Sequence, residues 1–272
     1  FIMPETPLIV TYIPMKLVLC SCSGTQSRSL HILRTIIFPV RFIIVFCLFL
    51  FFCPFLSPPC PPGLPVCLLC TCLGGSVYCD DLKLDSVPPL PKDTTHFYAR
   101  YNRITKISKS DFANMSTCLK KIDLTANEIT SIEDRTFMGL PELEELIIRE
   151  NHISQLPTLP ETMTLIDASH NNIGSKGIHK EAFKDMTGLQ FLYLTDNNID
   201  YVPVPLPDSL RSLHLQGNNI QMMHEDTFCN LNDFNYIRNA LEDIRLDGNP
   251  INLSKTPQAY VCLPRIPVGN LI

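Results

Sequence analysis

LQFLYLTDNNI, running from Leu189 to Ile199, sets four apolar positions (Leu189, Leu192, Leu194 and Ile199) around the framework Asn, Asn197. The same frame, L-x-x-L-x-L-x-x-N-x-I, returns as LKKIDLTANEI (Leu119 to Ile129), LEELIIRENHI (Leu143 to Ile153), MTLIDASHNNI (Met163 to Ile173), LRSLHLQGNNI (Leu210 to Ile220) and LEDIRLDGNPI (Leu241 to Ile251). A weaker first copy, TTHFYARYNRI, ends at Ile104. Self-similarity at a period of roughly 20–30 residues is the mark of a solenoid, in which each unit buries its apolar face against the next.

The frame is that of the leucine-rich repeat. Side chains two apart share one face of a strand, so Ile122 and Leu124 should face the core and Asp123 should face solvent. The predicted fold is α/β: a curved horseshoe with a concave parallel β-sheet and disulfide caps at both ends. The repeated Asn has a different task. The chain leaves the strand there, and its backbone groups need partners. A carboxamide both donates and accepts, so Asn102, Asn127, Asn151, Asn171, Asn197, Asn218 and Asn249 read as a structural ladder.

Successive ladder residues are 25, 24, 20, 26, 21 and 31 positions apart. Short repeats follow Pro-rich runs (LPTLPETM, VPVPLPDSL), where Pro keeps the chain extended. Long repeats carry a Phe, Phe137 or Phe183, expected to fill the convex side of the core. The last gap predicts an excursion between Asn218 and Asn249.

Charge narrows the function. The chain has 22 Lys and Arg against 27 Asp and Glu. Residues 1–66 hold four of the bases and one of the acids, leaving 18 against 26, a net of −8, in residues 67–272. Phosphate-backbone binding needs a basic face, so no nucleic-acid partner is expected. No Gly-rich phosphate loop or G-x-S-x-G motif is present, and His224-Glu225-Asp226 lacks the i, i+4 spacing of a helical zinc pair. The sequence therefore predicts no catalytic residue, no metal site, no cofactor and no enzyme.

Twelve cysteines point to an oxidising compartment. Cys67, Cys70, Cys72 and Cys79 form C-x2-C-x-C-x6-C before the first repeat, and Cys229 and Cys262 flank the last. Solenoid ends expose core and need caps. Disulfides suit that role; a zinc site is the alternative, though the one-residue gap fits zinc spacing poorly. Cys118 reads as a buried thiol outside both caps, with an intermolecular bridge as the alternative. Two sequons, Asn114-Met115-Ser116 and Asn252-Leu253-Ser254, are candidate N-glycosylation sites.

Residues 1–66 are read apart from the repeats. The run FCLFLFFCPFLSPPCPPGLP is built almost wholly from residues with pyrimidine-rich codons, which suits translated intron ahead of a splice acceptor. A signal-peptide remnant starting near Met15-Lys16 is the second reading. A membrane span over 36–56 is the third, weakened by Pro39, Arg41 and Pro54. The expected organisation is thus 1–66 outside the fold, 67–93 as Cys-rich cap, 94–228 as repeats, and 229–272 as an extended "ear" repeat and C-terminal cap.

The cap spacing, the short and long repeats, the excursion and the closing Cys pair together resemble the third class of the small leucine-rich repeat proteoglycans. Runs such as YCDD (78–81), PPLPK (88–92), MHEDTFCN (223–230) and ALEDIRLDGNPINLSKTPQAY (240–260) carry the likeness. The resemblance covers about residues 67–272. It implies the pairs Cys67–Cys72, Cys70–Cys79 and Cys229–Cys262, secretion into extracellular matrix, and matrix-protein partners, fibrillar collagen among them. It also implies glycosaminoglycan chains on an acidic N-terminal extension in some members; the one Ser-Gly here, Ser23-Gly24, has no flanking acids.

Binding is expected on the concave face. The middle positions of L-x-L are Tyr98, Asp123, Ile147, Asp167, Tyr193, His214 and Arg245. The next outward positions are Arg100, Thr125, Arg149, Ser169, Thr195, Gln216 and Asp247. Aromatics and Arg dominate interface hot spots, which singles out Tyr98, Arg100, Ile147, Arg149, Phe191, Tyr193, His214 and Arg245. Ile147, Phe191 and Tyr193 form the apolar part of this set, and a homodimer joined concave face to concave face is a competing use of it. The sequence thus points to a secreted matrix protein that helps organise cartilage-type matrix. The alternative is a membrane-anchored repeat receptor spanning at 36–56.

Overall fold

A computed structural model describes residues 66–115, 118–230, 233 and 236–271. The two leading readings of 1–66 and the 36–56 span fall almost wholly outside these residues. Among the described residues no helix is long and apolar enough to cross a membrane.

Each copy of the repeat frame forms one three-residue strand. These are β3 (His96–Tyr98), β5 (Lys121–Asp123), β7 (Glu145–Ile147), β8 (Leu165–Asp167), β9 (Phe191–Tyr193), β10 (Ser212–His214) and β11 (Asp243–Arg245). At the N-terminal end β1 (Thr71–Leu73) and β2 (Ser76–Tyr78) make a hairpin. The nine strands form one sheet in the order β1-β2-β3-β5-β7-β8-β9-β10-β11, parallel from β2 onward. β4 (Lys106–Ile107) and β6 (Ser131–Ile132) pair separately in parallel. The α component among the described residues is α1, Lys109–Phe112, started by a capping box between Ser108 and Asp111.

The register is constant: Phe97, Ile122, Leu146, Ile166, Leu192, Leu213 and Ile244 are neighbours across the sheet. Their side chains point inward, and Leu146, Ile166, Leu192 and Leu213 are fully buried. The convex side of the core is filled by Phe112, Phe137, Phe183 and Phe228. Phe112 lies 6.5 Å from Phe97 and 5.8 Å from Phe137, ring centre to ring centre, so aromatic packing crosses from repeat to repeat.

Behind the strands runs the asparagine ladder. Asn151 shows its bonding: Nδ2 donates to Leu124 O of the previous repeat at 3.0 Å and to Ile148 O of its own at 3.1 Å, while Oδ1 accepts from Ile129 N–H at 3.0 Å. Asn127, Asn171, Asn197, Asn218 and Asn249 repeat this set. Asn102 ties the first repeat to the cap, donating to Cys79 O and accepting from Leu82 and Leu84 N–H. One amide thus satisfies backbone groups in two adjoining repeats.

The residue before each ladder Asn is left-handed. Tyr101, Ala126, Glu150, His170 and Asp196 have φ between 50° and 57°, and Gly217 and Gly248 have 62° and 73°. Side-chain-bearing residues adopt this region at a cost of about 1–2 kcal/mol. At Gly217 a Cβ would strike the Asp196 carboxylate, which would have to swing aside, and the positive φ favours glycine as well.

Both ends are closed covalently. Cys67 bonds Cys72 and Cys70 bonds Cys79 at the N-terminal cap, and Cys229 bonds Cys262 at the C-terminal end. Between Asn218 and Asn249 the chain leaves the stack and returns through a Cys229–Ile237 bridge. There the Arg238 guanidinium is buried 3.9 Å over the Tyr236 ring and pairs with Asp208. The C-terminal segment then lies along β11: Val268 N–H donates to Ile244 O and Leu246 N–H donates to Val268 O.

Candidate functional site: the concave face

Three parallel columns of side chains cover the concave face. Register places Tyr78, Tyr98, Asp123, Ile147, Asp167, Tyr193, His214 and Arg245 in the central one. Beside it runs Ser76, His96, Lys121, Glu145, Leu165, Phe191, Ser212 and Asp243. The third column begins at Asp80 and Arg100 and continues through Arg149 to Asp247.

At the N-terminal end these side chains bind one another. Tyr78 and Tyr98 stack face to face at 4.8 Å. Arg100 grips Asp80 with Nη2 at 2.6 Å and Nε at 3.1 Å. That hydrogen bond raises the Arg100 guanidinium above its ordinary value, against a small opposing effect of burial. Arg100 and Lys121 both approach the Tyr98 ring, at 5.5 and 5.8 Å. Burial pulls the Lys121 ammonium down, but its hydrogen bond and charge contact with Glu145, at 2.6 Å, outweigh this and leave it raised.

The middle of the face is mostly apolar, with Asp167 set between Ile147 and Tyr193 in the central column. Leu165 is the register partner of Phe191, and Ile147 sits one strand further along. Phe191 and Tyr193 lie 6.3 Å apart, and Tyr193 lies 4.5 Å from the His214 ring. His214 Nε2 meets Asp243 Oδ2 at 2.8 Å; this bond holds the Asp243 carboxyl below the usual carboxylate range, with Ser212 and Arg245 adding to it. Arg149 Nη2 reaches Glu150 at 2.9 Å, while its Nε is buried without a hydrogen-bond partner. Arg245 Nε faces Asp247 at 3.4 Å.

Three positions expected to face solvent are buried, which corrects the reading from the repeat frame. Asp123, Thr125 and Ser169 are 5–8% exposed. The reason is local. Asp123 Oδ1 accepts from the Thr125 N–H and hydroxyl, folding both side chains onto the sheet, with Tyr98 and Ile147 on either side. Ser169 N–H donates to Asp167 Oδ1, and its short side chain lies below its larger neighbours. Tyr98, Arg100, Ile147, Arg149, Phe191, Tyr193, His214 and Arg245 are all half-buried on the face.

Sequence reasoning passed over Tyr78, Lys121, Glu145, Leu165 and Asp243. The signal was present: by the two-residue period, position 3 of the frame shares a face with positions 5 and 7. Elsewhere, Asn114 is exposed just past α1. Asn252 is half-buried, and its Oδ1 accepts from the N–H and hydroxyl of Ser254. Both lie outside the concave strands. Cys118 is half-buried rather than buried, and none of the three disulfides includes it. No cluster of metal-ligating side chains occurs among the described residues, His224-Glu225-Asp226 included.

A parallel concave sheet, an amide ladder behind it and a seal at either end define a capped leucine-rich-repeat solenoid. Family profiles described as leucine rich repeat match residues 95–153 and 209–231. The leucine-rich-repeat architecture also matches a chain from a solved octameric complex of latrophilin 3, Unc5D and FLRT2. That match has a TM-score of 0.51 and 25% identity, covering 65% of this chain and 61% of the other. Among curated proteins, epiphycan of Gallus gallus is 67% identical over 217 residues, 80% of this chain and 68% of that protein. Opticin of Bos taurus is 52% identical over 217 residues, 80% of this chain and 67% of that protein. The chain belongs to the small leucine-rich repeat proteoglycans of the extracellular matrix, in the class that holds epiphycan, opticin and mimecan.

Proposed function

We propose that this chain is secreted and binds matrix proteins, fibrillar collagen in particular, through its concave face, and so helps organise cartilage-type matrix. The observation that carries the reading is the cluster of Ile147, Leu165, Phe191 and Tyr193: apolar side chains held half-exposed on a sheet whose other side is fully packed. Such a cluster gains free energy when covered. Arg149, two residues past Ile147, stands at its edge with Nη2 on Glu150. The mechanism is non-catalytic. A stiff, laddered sheet presents its contacts already ordered, which lowers the entropic cost of association.

The double variant Arg149→Ala/Tyr193→Ala should lose most of its affinity for fibrillar collagen in a solid-phase assay. Affinity equal to that of the parent moves the site off this face. A second reading, supported by the same apolar cluster, is a homodimer joined through the concave faces; sedimentation of the variant as monomer and the parent as dimer would favour it. We further propose that residues 67–272 form the folded domain with 1–66 outside it, and that Asn114 and Asn252 carry N-glycans. Both asparagines lie off the concave strands, so glycans there would leave the binding face open.

A further inference from the structure

On the opposite side of the solenoid, a cavity of about 430 Å³ opens between the loop Gly174–Lys180 and the segment Tyr201–Pro205. Its two walls differ in chemistry. One carries Lys176, His179 and Lys180; the other is Tyr201, Val204 and Pro205. The volume falls within the roughly 300–1,000 Å³ of small-ligand pockets.

The cationic wall is fixed in place. Leu156 N–H donates to Gly177 O at 2.7 Å, and Gly177 N–H to Gly174 O at 2.8 Å. A Cβ at Gly177 would collide with the Ser154 carbonyl, so the loop is pressed against the neighbouring repeat with no room for a side chain. Gly174 bridges Asn198, and Ile178 is buried beneath the loop. The Tyr201 hydroxyl donates to Ile178 O at 3.4 Å, which joins the two walls and leaves the ring itself as an apolar surface.

The charges in the cavity are largely uncommitted. Among the described residues, neither Lys176 nor Lys180 forms an ion pair, and the one carboxylate in the lining, Glu181, faces Lys184 at 3.6 Å. Asp200, next to Tyr201, and Asp134, within electrostatic reach of His179, are other nearby acids. In a domain of net charge −8, two lysines and a histidine lining one cavity are a local gathering of basic side chains.

We propose that this cavity binds an anionic pyranose, the sulfate- or carboxylate-bearing sugar unit of a glycosaminoglycan. A pyranose has a C–H face that packs on an aromatic ring and a proline, and an anionic edge that meets lysine and histidine. The two walls present that pair of surfaces in that arrangement. The site is independent of the concave face and stands whether or not collagen binds there.

Calorimetric titration of the full chain tests the assignment with four probes: a chondroitin 4-sulfate hexasaccharide, a hyaluronan hexasaccharide carrying carboxylates alone, a sulfotyrosine peptide and sodium sulfate. Binding should weaken as salt rises from about 0.05 to 0.3 M, as expected when charges on a surface cavity are screened. Lys176→Glu/Lys180→Glu should weaken hexasaccharide binding at least about tenfold, a factor worth ~1.4 kcal/mol. Lys92→Glu/Lys255→Glu, an equal change of charge at other exposed positions, should change it less than about twofold, because exposed charges beyond a Debye length are screened. Tyr201→Ala should weaken it as well, with the two lysine variants retaining the parent's thermal midpoint. Preference for the sulfated probe makes sulfate the recognised group; equal binding makes the carboxylate sufficient. The proposal is overturned if neither hexasaccharide binds, if the two double variants behave alike, if inorganic sulfate binds as well as the sugar, or if a sulfotyrosine peptide binds more tightly than both sugars.

Discussion

Along β2, β3, β5 and β7 the concave side chains answer one another: Tyr78 stacks on Tyr98, Arg100 holds Asp80, and Lys121 meets Glu145. Along β8 and β9 they do not; among the described residues the side chains of Leu165, Phe191 and Tyr193 form no hydrogen bond or ion pair, and His214–Asp243 and Arg245–Asp247 resume the pairing at β10 and β11. Both stretches stand on the same backbone with the same ladder behind them. The difference lies wholly in the outward residues. A surface already satisfied by internal ion pairs gains little from a partner, because desolvating those pairs costs what new contacts return. An apolar cluster gains from any complementary cover. One sheet thus carries a quiet half and a receptive half.

The largest expected effect tests whether the halves share one scaffold. Asn151→Ala and Asn218→Ala each leave one N–H (Ile129 or Ile199) buried without a partner and take one of two amide donors from two carbonyls, and each should lower unfolding stability by about 3 kcal/mol in urea titrations. Markedly unequal losses would mean that the scaffold, and not only the surface, differs along the arc. Next in size is the contrast between faces. Phe191→Ala/Tyr193→Ala should weaken collagen binding by about 2 kcal/mol, the scale of a hot-spot loss, while Tyr98→Ala/Arg100→Ala should fall well short of that. The reverse order would exchange the roles of the two halves.

Replacing the left-handed Ala126 with Gly relieves backbone strain, partly offset by greater freedom of the unfolded chain, and should raise the thermal midpoint by a degree or two, corresponding to less than about 1 kcal/mol. The smallest effect concerns acid. Asp243 is held below its ordinary value by His214, so its contribution is fully present above the unfolded carboxylate value and is lost as pH falls through the lowered one. The side chain is half-exposed, and solvent screening keeps the effect under about 1 kcal/mol. Asp243→Asn should remove a small part of the acid destabilisation seen in melts between about pH 5 and pH 3; an unchanged acid profile would show that the pairing does not resume at β10 and that the receptive half runs past it.

The interior of this molecule could be read from the sequence because each repeat states it again. Leu146, Ile166 and Leu192 occupy one position of one frame, and Asn127 to Asn249 another, so a repeated pattern separates core from surface. The left-handed turn was less visible: Gly217 and Gly248 hint at it, while Tyr101, Glu150 and His170 hide it, because the ladder bonds hold those residues against their own preference. The concave face was half legible. The period of two locates it, but depth depends on neighbours that the period does not describe. Asp123 and Thr125 sink because they bond each other beside Tyr98 and Ile147. The cavity at Gly174–Lys180 left no mark in the frame, since its walls come from the variable connections between strands.

A pile of equal slices contains no instruction about where to stop. Here the instruction is the short segment around Val268, which occupies the open edge of β11 with a strand-like pair of bonds yet belongs to no further slice. The hairpin of β1 and β2 does the same at the beginning by reversing direction. Sheet edges left bare invite another copy to continue the row. By filling that edge, the segment around Val268 leaves β11 no open row of backbone groups for another copy to extend.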